Sequence, residues 1–117
     1  MPSHRAIGNK GERFAVSFLE RQGLVVLDRN YVHDHGEIDI VARDGNEIVF
    51  VEVKVRRSER FGPPEEAVTP AKQELLRRTA EGYVAERGLA EAVCRFDVVA
   101  ITDSGGKRLV RHYRNAF

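Results

Sequence analysis

The chain has 117 residues, 42% of them hydrophobic and 32% charged, and its formal net charge at pH 7 is +1. This composition is typical of one folded domain, residues 1–117, and argues against a disordered chain. A charge so close to zero leaves a nucleic-acid partner open, because such a partner needs only a local basic surface.

The sequence shows neither a membrane-spanning segment nor a signal-like segment. No apolar run is long enough to cross a bilayer, and the first residues lack a signal-like apolar core. The single cysteine, Cys94, excludes an internal disulfide and fits a reducing compartment. We therefore expect a cytoplasmic protein that does not enter a membrane.

The first predicted element is a helix from Asn9 to about Gln22, after a loose N-terminal segment, residues 1–8. Gly23 suits its C-terminal cap. Glu12 lies along the edge of the apolar stripe, which consists of Phe14, Ala15, Phe18 and Leu19. An acid that favours the helix dipole is the preferred local interpretation of Glu12, and a carboxylate reaching a metal site is the alternative.

A short strand, residues 24–27, follows the helix, and the polar residues 31–35 predict a connection. His33 and His35 flank Asp34 and could bind a metal in principle. Two loop histidines without a cysteine partner are more often solvated, and that interpretation is favoured.

Two strands joined by a tight hairpin come next, residues 36–42 and 48–56, since β-branched residues dominate both. If Asp44-Gly45 forms the loop, Asp39 lies opposite Phe50. If Gly45-Asn46 forms it, Asp39 lies opposite Glu52. In either register one face carries four charged side chains: Glu37, Asp39, Glu52 and Lys54.

Carboxylates that face one another across a sheet repel, so a positive group is expected between them. A divalent cation with oxygen ligands, beside Lys54, would supply it. The alternative is a half-exposed strand with one solvated face. Because Ile48 and Phe50 share the face of Glu52, that face looks covered along part of its length, which favours a site in a crevice.

Basic residues follow the acidic ones. Residues 54–60 contain four basic side chains and one acid, which fits either an exposed strand end or a polyanion-binding segment. Thr69-Pro70 begins a second helix that Gly88 ends. Lys72 in its first turn is either a surface lysine or a phosphate contact beside the helix amides.

A nearly continuous apolar strand, residues 95–101, follows the long helix, so we expect it to lie inside the sheet and parallel to an earlier strand. A basic edge strand, Lys107 to Tyr113, ends the chain. The predicted fold class is α/β, a mixed central sheet with helices on its faces.

The α-β-β-β-α-β core, with Asp39 followed by Glu52-Val53-Lys54 on the next strand, resembles the PD-(D/E)XK nuclease superfamily, whose fold is restriction-endonuclease-like. From about Gly8 to Ile101 the chain is more closely similar to the YraN family of small bacterial proteins, which itself resembles archaeal Holliday-junction resolvases. The motifs that carry this similarity are Gly11-Glu12, Gly36-Glu37-Ile38-Asp39, residues 50–56, Phe61-Gly62, Lys72 and Arg95-Phe96-Asp97.

The resemblance implies a role for each matching residue. Asp39 and Glu52 correspond to metal ligands, the carbonyl of Val53 to a further ligand and Lys54 to the catalytic lysine. Glu12 corresponds to the acid that many members supply from the first helix. Ile38 replaces the proline that names the superfamily, and Glu37 and Lys72 match supporting positions of the closer family.

The implied function is a Mg²⁺- or Mn²⁺-dependent endonuclease that hydrolyses DNA, structure-specific in repair or recombination. Basic side chains beyond the acidic strand are the candidate nucleic-acid contacts: Arg56, Arg57, Arg60 and Lys72. A symmetric dimer would suit an enzyme that cleaves junctions. The alternative function is a non-catalytic nucleic-acid-binding module that retains the fold.

Overall fold

The structure, a computed structural model, describes residues 4–56 and 68–117, without the side chains of residues 4–10 and 104. The elements in chain order are α1 (His4–Arg21), β1 (Val25–His33), β2 (Gly36–Asp44), β3 (Glu47–Arg56), α2 (Pro70–Glu86), β4 (Val93–Ser104) and β5 (Lys107–Tyr113). This order confirms the predicted succession of one helix, three strands, a second helix and two strands.

The five strands form one mixed sheet in the order β1-β2-β3-β4-β5. The β3–β4 pair is parallel and the other three pairs are antiparallel. The parallel pair follows from the crossover through α2, because parallel neighbours need a long connection. The mixed α/β fold, the internal position of β4 and the edge position of β5 are therefore confirmed.

The sheet buries a hydrophobic cluster on each face, and each described helix covers one of them. The α1-side cluster comprises Ala15, Leu19, Leu24, Ile40, Ala42, Val49, Val51, Val99 and Ile101. The α2-side cluster comprises Ile38, Val41, Ile48, Phe50, Val68, Leu76, Ala80, Tyr83 and Val98. The α1-side and α2-side clusters thus mark the two faces of the sheet.

Local capping interactions set the helix ends. Gly23, at φ +93°, lets Leu24 N donate to Leu19 O at 3.1 Å, so α1 is capped where predicted. Thr69 Oγ1 accepts from Lys72 N at 3.2 Å, and α2 begins at Pro70 as predicted. In the described part of the chain, neither helix is long and apolar enough to span a membrane.

The largest differences from the predicted element boundaries are at the start of α1 and at the end of β1. Helix α1 begins at His4, five residues before the expected start, so the backbone of residues 4–8 is helical. Strand β1 continues to His33, through the predicted polar connection, because its backbone pairs with β2 as far as Gly36. Backbone pairing at an edge does not require apolar side chains on both faces, so a polar sequence can continue a strand there.

Candidate functional site

The β2–β3 hairpin adopts the second of the two predicted registers. Asp44 pairs with Glu47, so Gly45 and Asn46 form the loop, and Gly45 has φ +61°. The last registered β2–β3 pair is Ile40 with Val51. Asp39 and Glu52 are the next residues on the two strands, and they lie where the strands part.

Side-chain alternation on β2 breaks at Asp39. Ile38 and Ile40 are two residues apart and should share a face. Ile38 nevertheless belongs to the α2-side cluster and Ile40 to the α1-side cluster. The strict alternation assumed in the sequence prediction therefore does not hold through Asp39, and this reversal coincides with the end of the β2–β3 ladder.

Strand β1 reverses at the matching position. Arg29 pairs with Ile40 and extends its guanidinium toward α1, whereas Tyr31 packs against the α2-side cluster. Asn30 between them has φ +52°, a left-handed conformation that few residue types other than glycine adopt. Both reversals lie beside the gap that begins where the pairing of β2 with β3 ends.

The Asp39 carboxylate lies in this gap and accepts a hydrogen bond from Val53 N at 2.8 Å. Because the N–H and C=O of a strand residue point to the same neighbour, the Val53 carbonyl points toward Asp39 as well. Burial and the charges of Glu52, Glu12 and Glu37 together raise the pKa of Asp39 to about 7, against the opposing effect of the hydrogen bond from Val53 N. The local electrostatics therefore disfavour a negative charge on Asp39.

Glu52 is the second acid of the gap and is only 8% exposed. Its Oε1 lies 3.6 Å from Lys54 Nζ, while its Oε2 is buried and has no hydrogen-bond partner. A buried carboxylate oxygen without a partner is costly, so this atom is a candidate ligand for a cation. The predicted pair Glu52 and Lys54 is thus in contact.

Glu12 is brought to the sheet by the close approach of α1 to β3. A Cβ at Gly11 would lie 2.5 Å from Val55 Cγ2, so only glycine permits this contact. Glu12 is 7% exposed, and its Oε2 lies 3.8 Å from the guanidinium of Arg29 without a hydrogen bond. The sequence analysis missed Arg29, and a longer predicted β1 would have placed it on the face of α1.

The predicted metal ligands are near one another but do not form a preassembled cage. Among the described side chains, no three His, Cys, Asp or Glu residues are close enough to bind a metal ion together. Glu12 therefore lies beside the Asp39–Glu52 pair rather than in a ready three-carboxylate set. The metal-binding roles of Glu12, Asp39, Glu52 and Val53 stay predictions.

The candidate nucleic-acid contacts are only partly described. Arg56 ends β3 two residues after Lys54 and is half-buried, and Glu37 is exposed on β2. Half-buried Lys72 lies in the first turn of α2, and in residues 4–56 and 68–117 no hydrogen bond or ion pair joins its side chain to the acidic gap. Arg57 and Arg60 lie outside the described residues.

Two cavities are lined by described residues other than those of the acidic gap. One of about 420 Å³ lies between the β1–β2 turn and α2, and His33, His35 and Arg78 help to line it. His33 is not simply solvated, as the sequence analysis favoured, because its Nδ1 lies 3.5 Å from Glu86 Oε1. A second cavity, of about 300 Å³, is lined mainly by apolar groups around Phe50.

A second ionic cluster, which the sequence analysis did not assign, lies on the α1 side of β4. Asp97 is fully buried and accepts hydrogen bonds from Arg95 Nε at 3.1 Å and Asn115 N at 3.1 Å, and its Oδ2 lies 2.7 Å from His112 Nε2. Arg95 also contacts Glu47 Oε2 at 2.7 Å. Burial by itself would raise the pKa of Asp97, but these hydrogen bonds and the Arg95 charge outweigh it and hold the pKa below its ordinary value.

Comparison with known sequences relates the whole chain to one family. The sequence model described as "Uncharacterised protein family UPF0102" matches residues 11–101. A UPF0102 protein of Geobacter metallireducens is 47% identical over 114 residues, which cover 97% of this chain and 93% of the relative. UPF0102 protein STH1475 of Symbiobacterium thermophilum is 46% identical over 114 residues, 97% of each chain. A UPF0102 protein of Moorella thermoacetica is 50% identical over 99 residues, 85% of this chain and 82% of the relative.

Proposed function

We propose that this chain, which belongs to the uncharacterised protein family UPF0102, is a divalent-metal-dependent endonuclease that hydrolyses phosphodiester bonds of DNA. The observation that carries the proposal is the acidic gap where β2 and β3 part. There Asp39 is held by Val53 N, and the buried Glu52 contacts Lys54. We also assign the mixed α/β fold to the restriction-endonuclease-like class, since its element order and the Asp39…Glu52-Val53-Lys54 spacing agree with that class.

The residues of the gap fit Mg²⁺ or Mn²⁺, which prefer oxygen ligands. Glu52 Oε2 is buried without a hydrogen-bond partner, and Asp39 lies among acids that raise its pKa. Both features would be relieved by a positive charge in the gap. The oxygen atoms that would hold the ion are those of Asp39, Glu52 and the Val53 carbonyl, with Glu12 beside them.

The reaction needs an attacking water and compensation of negative charge on the phosphoryl oxygens. A bound divalent ion supplies both, because it acidifies water and acts as a Lewis acid. The protein contributes orientation: Val53 N–H fixes the Asp39 carboxylate, and Arg29 lies against Glu12. Lys54, at 3.6 Å from Glu52, is placed to orient the water or to stabilise the charged transition state.

The proposed substrate follows from the basic groups around this chemistry. Arg56 extends the strand of Glu52 and Lys54, and Arg57 and Arg60 continue the basic sequence. Lys72 adds a cation at the start of α2. Phosphate groups on either side of the scissile bond are the partners that such side chains bind. A symmetric dimer would present two such sites to a branched DNA.

A non-catalytic nucleic-acid-binding module is the second candidate, and one observation favours it. Within the described ranges, no group of three His, Cys, Asp or Glu side chains is close enough together to hold a metal ion. Calorimetric titration with Mn²⁺ separates the two functions. The endonuclease binds Mn²⁺ and Asp39→Ala does not, whereas the binding module takes up no metal and Asp39→Ala binds DNA at least as tightly as the wild type.

The decisive experiment incubates labelled branched and linear DNAs with Mn²⁺ and the purified chain. We expect cleavage by the wild type and by Asp103→Ala, a control that removes an exposed carboxylate at the β4–β5 turn. Asp39→Ala and Lys54→Ala should abolish cleavage. Cleavage that survives in both variants would be due to a contaminant and would overturn the assignment of these residues.

A further inference from the structure

We propose that strand β5 forms part of the nucleic-acid-binding surface, with Arg111 binding a phosphate group that flanks the scissile one. This inference rests on the proposed function, since it places more of the substrate around the same site. Arg111 is an exposed residue of β5, the basic edge strand, and it is not one of the residues that form the acidic gap.

Three adjacent strands align Arg111 with Lys54. Lys54 of β3 pairs with Ala100 of β4, and Ala100 pairs with Arg111 of β5. Neighbouring strands are about 4.8 Å apart, so the backbones at Lys54 and Arg111 are separated by about 10 Å across the sheet. The small side chain of Ala100 between them leaves the two long cationic side chains within reach of one ligand.

The two cations also share a face of the sheet. On β5, Val110 packs against the α1-side cluster and the His112 ring contacts Phe18 of α1, so Arg111 projects to the other side. Phe50 belongs to the α2-side cluster, and Glu52 and Lys54 follow it at two-residue spacing on that same face. Arg111 therefore lies on the same face of the sheet as Glu52 and Lys54.

Charge complementarity identifies the occupant as a polyanion. Strand β5 contains Lys107, Arg108 and Arg111 and no acid. Arg108 lies on the α1 side of the sheet, over the Phe14 ring of α1 and 3.3 Å from Asp103. DNA carries one phosphate per about 3.4 Å of helix axis on each strand, so about 10 Å corresponds to about three nucleotides. Arg111 would bind a phosphate at about that distance from the scissile bond.

The test measures DNA binding as a function of salt in chelator-containing buffer, with Asp39→Asn as the common background to prevent cleavage. Arg111→Gln removes the charge, and Arg111→Lys retains it. Arg43→Gln is the matched control, because Arg43 is exposed and pairs with Ile48, six residues before Lys54 on β3. Circular dichroism confirms folding, and Arg111→Met replaces Arg111→Gln if the latter unfolds.

One phosphate contact contributes about 0.9 to the slope of log affinity against log salt concentration. At about 0.1 M salt, compared with about 1 M, such a contact strengthens DNA binding about eightfold. We expect Arg111→Gln to weaken binding by that factor and to lower the slope by about one, while Arg111→Lys and Arg43→Gln keep the slope of the background. Equal losses in Arg111→Gln and Arg43→Gln, or none in Arg111→Gln, would overturn the role of β5 and leave the proposed function standing. No binding or cleavage of DNA by the wild type would overturn both.

Discussion

Two carboxylates of this protein, one fully buried and one half-buried, have opposite electrostatic environments. Asp97 is fully buried, yet its pKa lies below the ordinary value, whereas Asp39 is half-buried and has a pKa raised to about 7. Burial raises both pKa values, so partners make the difference. Asp97 has a guanidinium, an imidazole and a backbone amide around it, and Asp39 has one backbone amide among other acids.

The contrast separates a structural charge from a candidate functional one. Buried ionic groups in folded proteins are normally paired and hydrogen-bonded, as Asp97 is. Acids that share a site without a compensating charge destabilise the folded chain, and such groups cluster at functional sites. An added positive charge would therefore stabilise the acids around Asp39 and Glu52, whereas Asp97 already contacts Arg95 and His112.

The largest expected effect comes from replacing Asp97, the carboxylate with a structural role. Asp97→Asn keeps the side-chain volume and removes the charge that Arg95 and His112 face, so we expect the free energy of unfolding to fall by about 3 kcal/mol. Urea denaturation measures it. Asp103→Asn, which breaks an exposed pair with Arg108, should change stability by less than about 0.5 kcal/mol. A similarly small loss in Asp97→Asn would refute the assigned role of Asp97.

The second prediction concerns the cation that the gap requires. Mn²⁺ at about 100 times its dissociation constant should stabilise the wild type by about 2.7 kcal/mol, because the ion binds the folded chain only. Thermal unfolding with Mn²⁺ or chelator measures this gain. Asp103→Asn should retain the gain and Asp39→Asn should lose most of it. An equal gain in both variants would place the metal elsewhere.

The third prediction uses the pKa of Asp39 in chelator. Since the folded pKa of about 7 lies above the ordinary value of 3.8, the folded chain binds more protons than the unfolded chain between these pH values and loses stability as pH rises through them. Asp39→Asn removes this loss. It should be more stable than the wild type by about 1–2 kcal/mol at about pH 8, with the difference vanishing near pH 4. Urea titrations at several pH values test this, and a destabilised variant at pH 8 would contradict it.

The sequence predicted those parts of the fold that depend on local patterns. The element order, the Gly23 and Thr69-Pro70 boundaries and the position of β4 follow from periodicity, capping residues and the crossover rule. The YraN-like family is confirmed through the match to UPF0102. The contact of Glu52 with Lys54 also followed from the two-residue period of a single strand.

The remaining features depend on contacts between distant segments. The reversal on β1 coincides with the left-handed backbone of Asn30, and the reversal on β2 lies at Asp39. Periodicity reveals neither of them. The pairing of Asp97 with His112 depends on the register between β4 and β5. Arg29 reached Glu12 only because β1 is longer than its apolar residues indicate.

The smallest expected effect comes from Asp28, a partly exposed carboxylate that has hydrogen-bonding and ionic partners. Asp28 is 30% exposed, accepts a hydrogen bond from Tyr83 Oη at 2.9 Å and lies 3.1 Å from Arg87. Tyr83→Phe removes one of these partners, but Asp28 can still bind Arg87 and water. The free energy of unfolding should therefore fall by about 1 kcal/mol. The ring contacts with Tyr31 and Phe50 are retained.

Urea denaturation of Tyr83→Phe beside Asp97→Asn measures how the cost of a lost partner grows with burial. Asp28 can turn to solvent and Asp97 cannot, so the second loss should be about three times the first. Equal losses would mean that the number of partners, and not the burial of the carboxylate, decides the cost. The different pKa values of Asp39 and Asp97 would then follow from their partners alone.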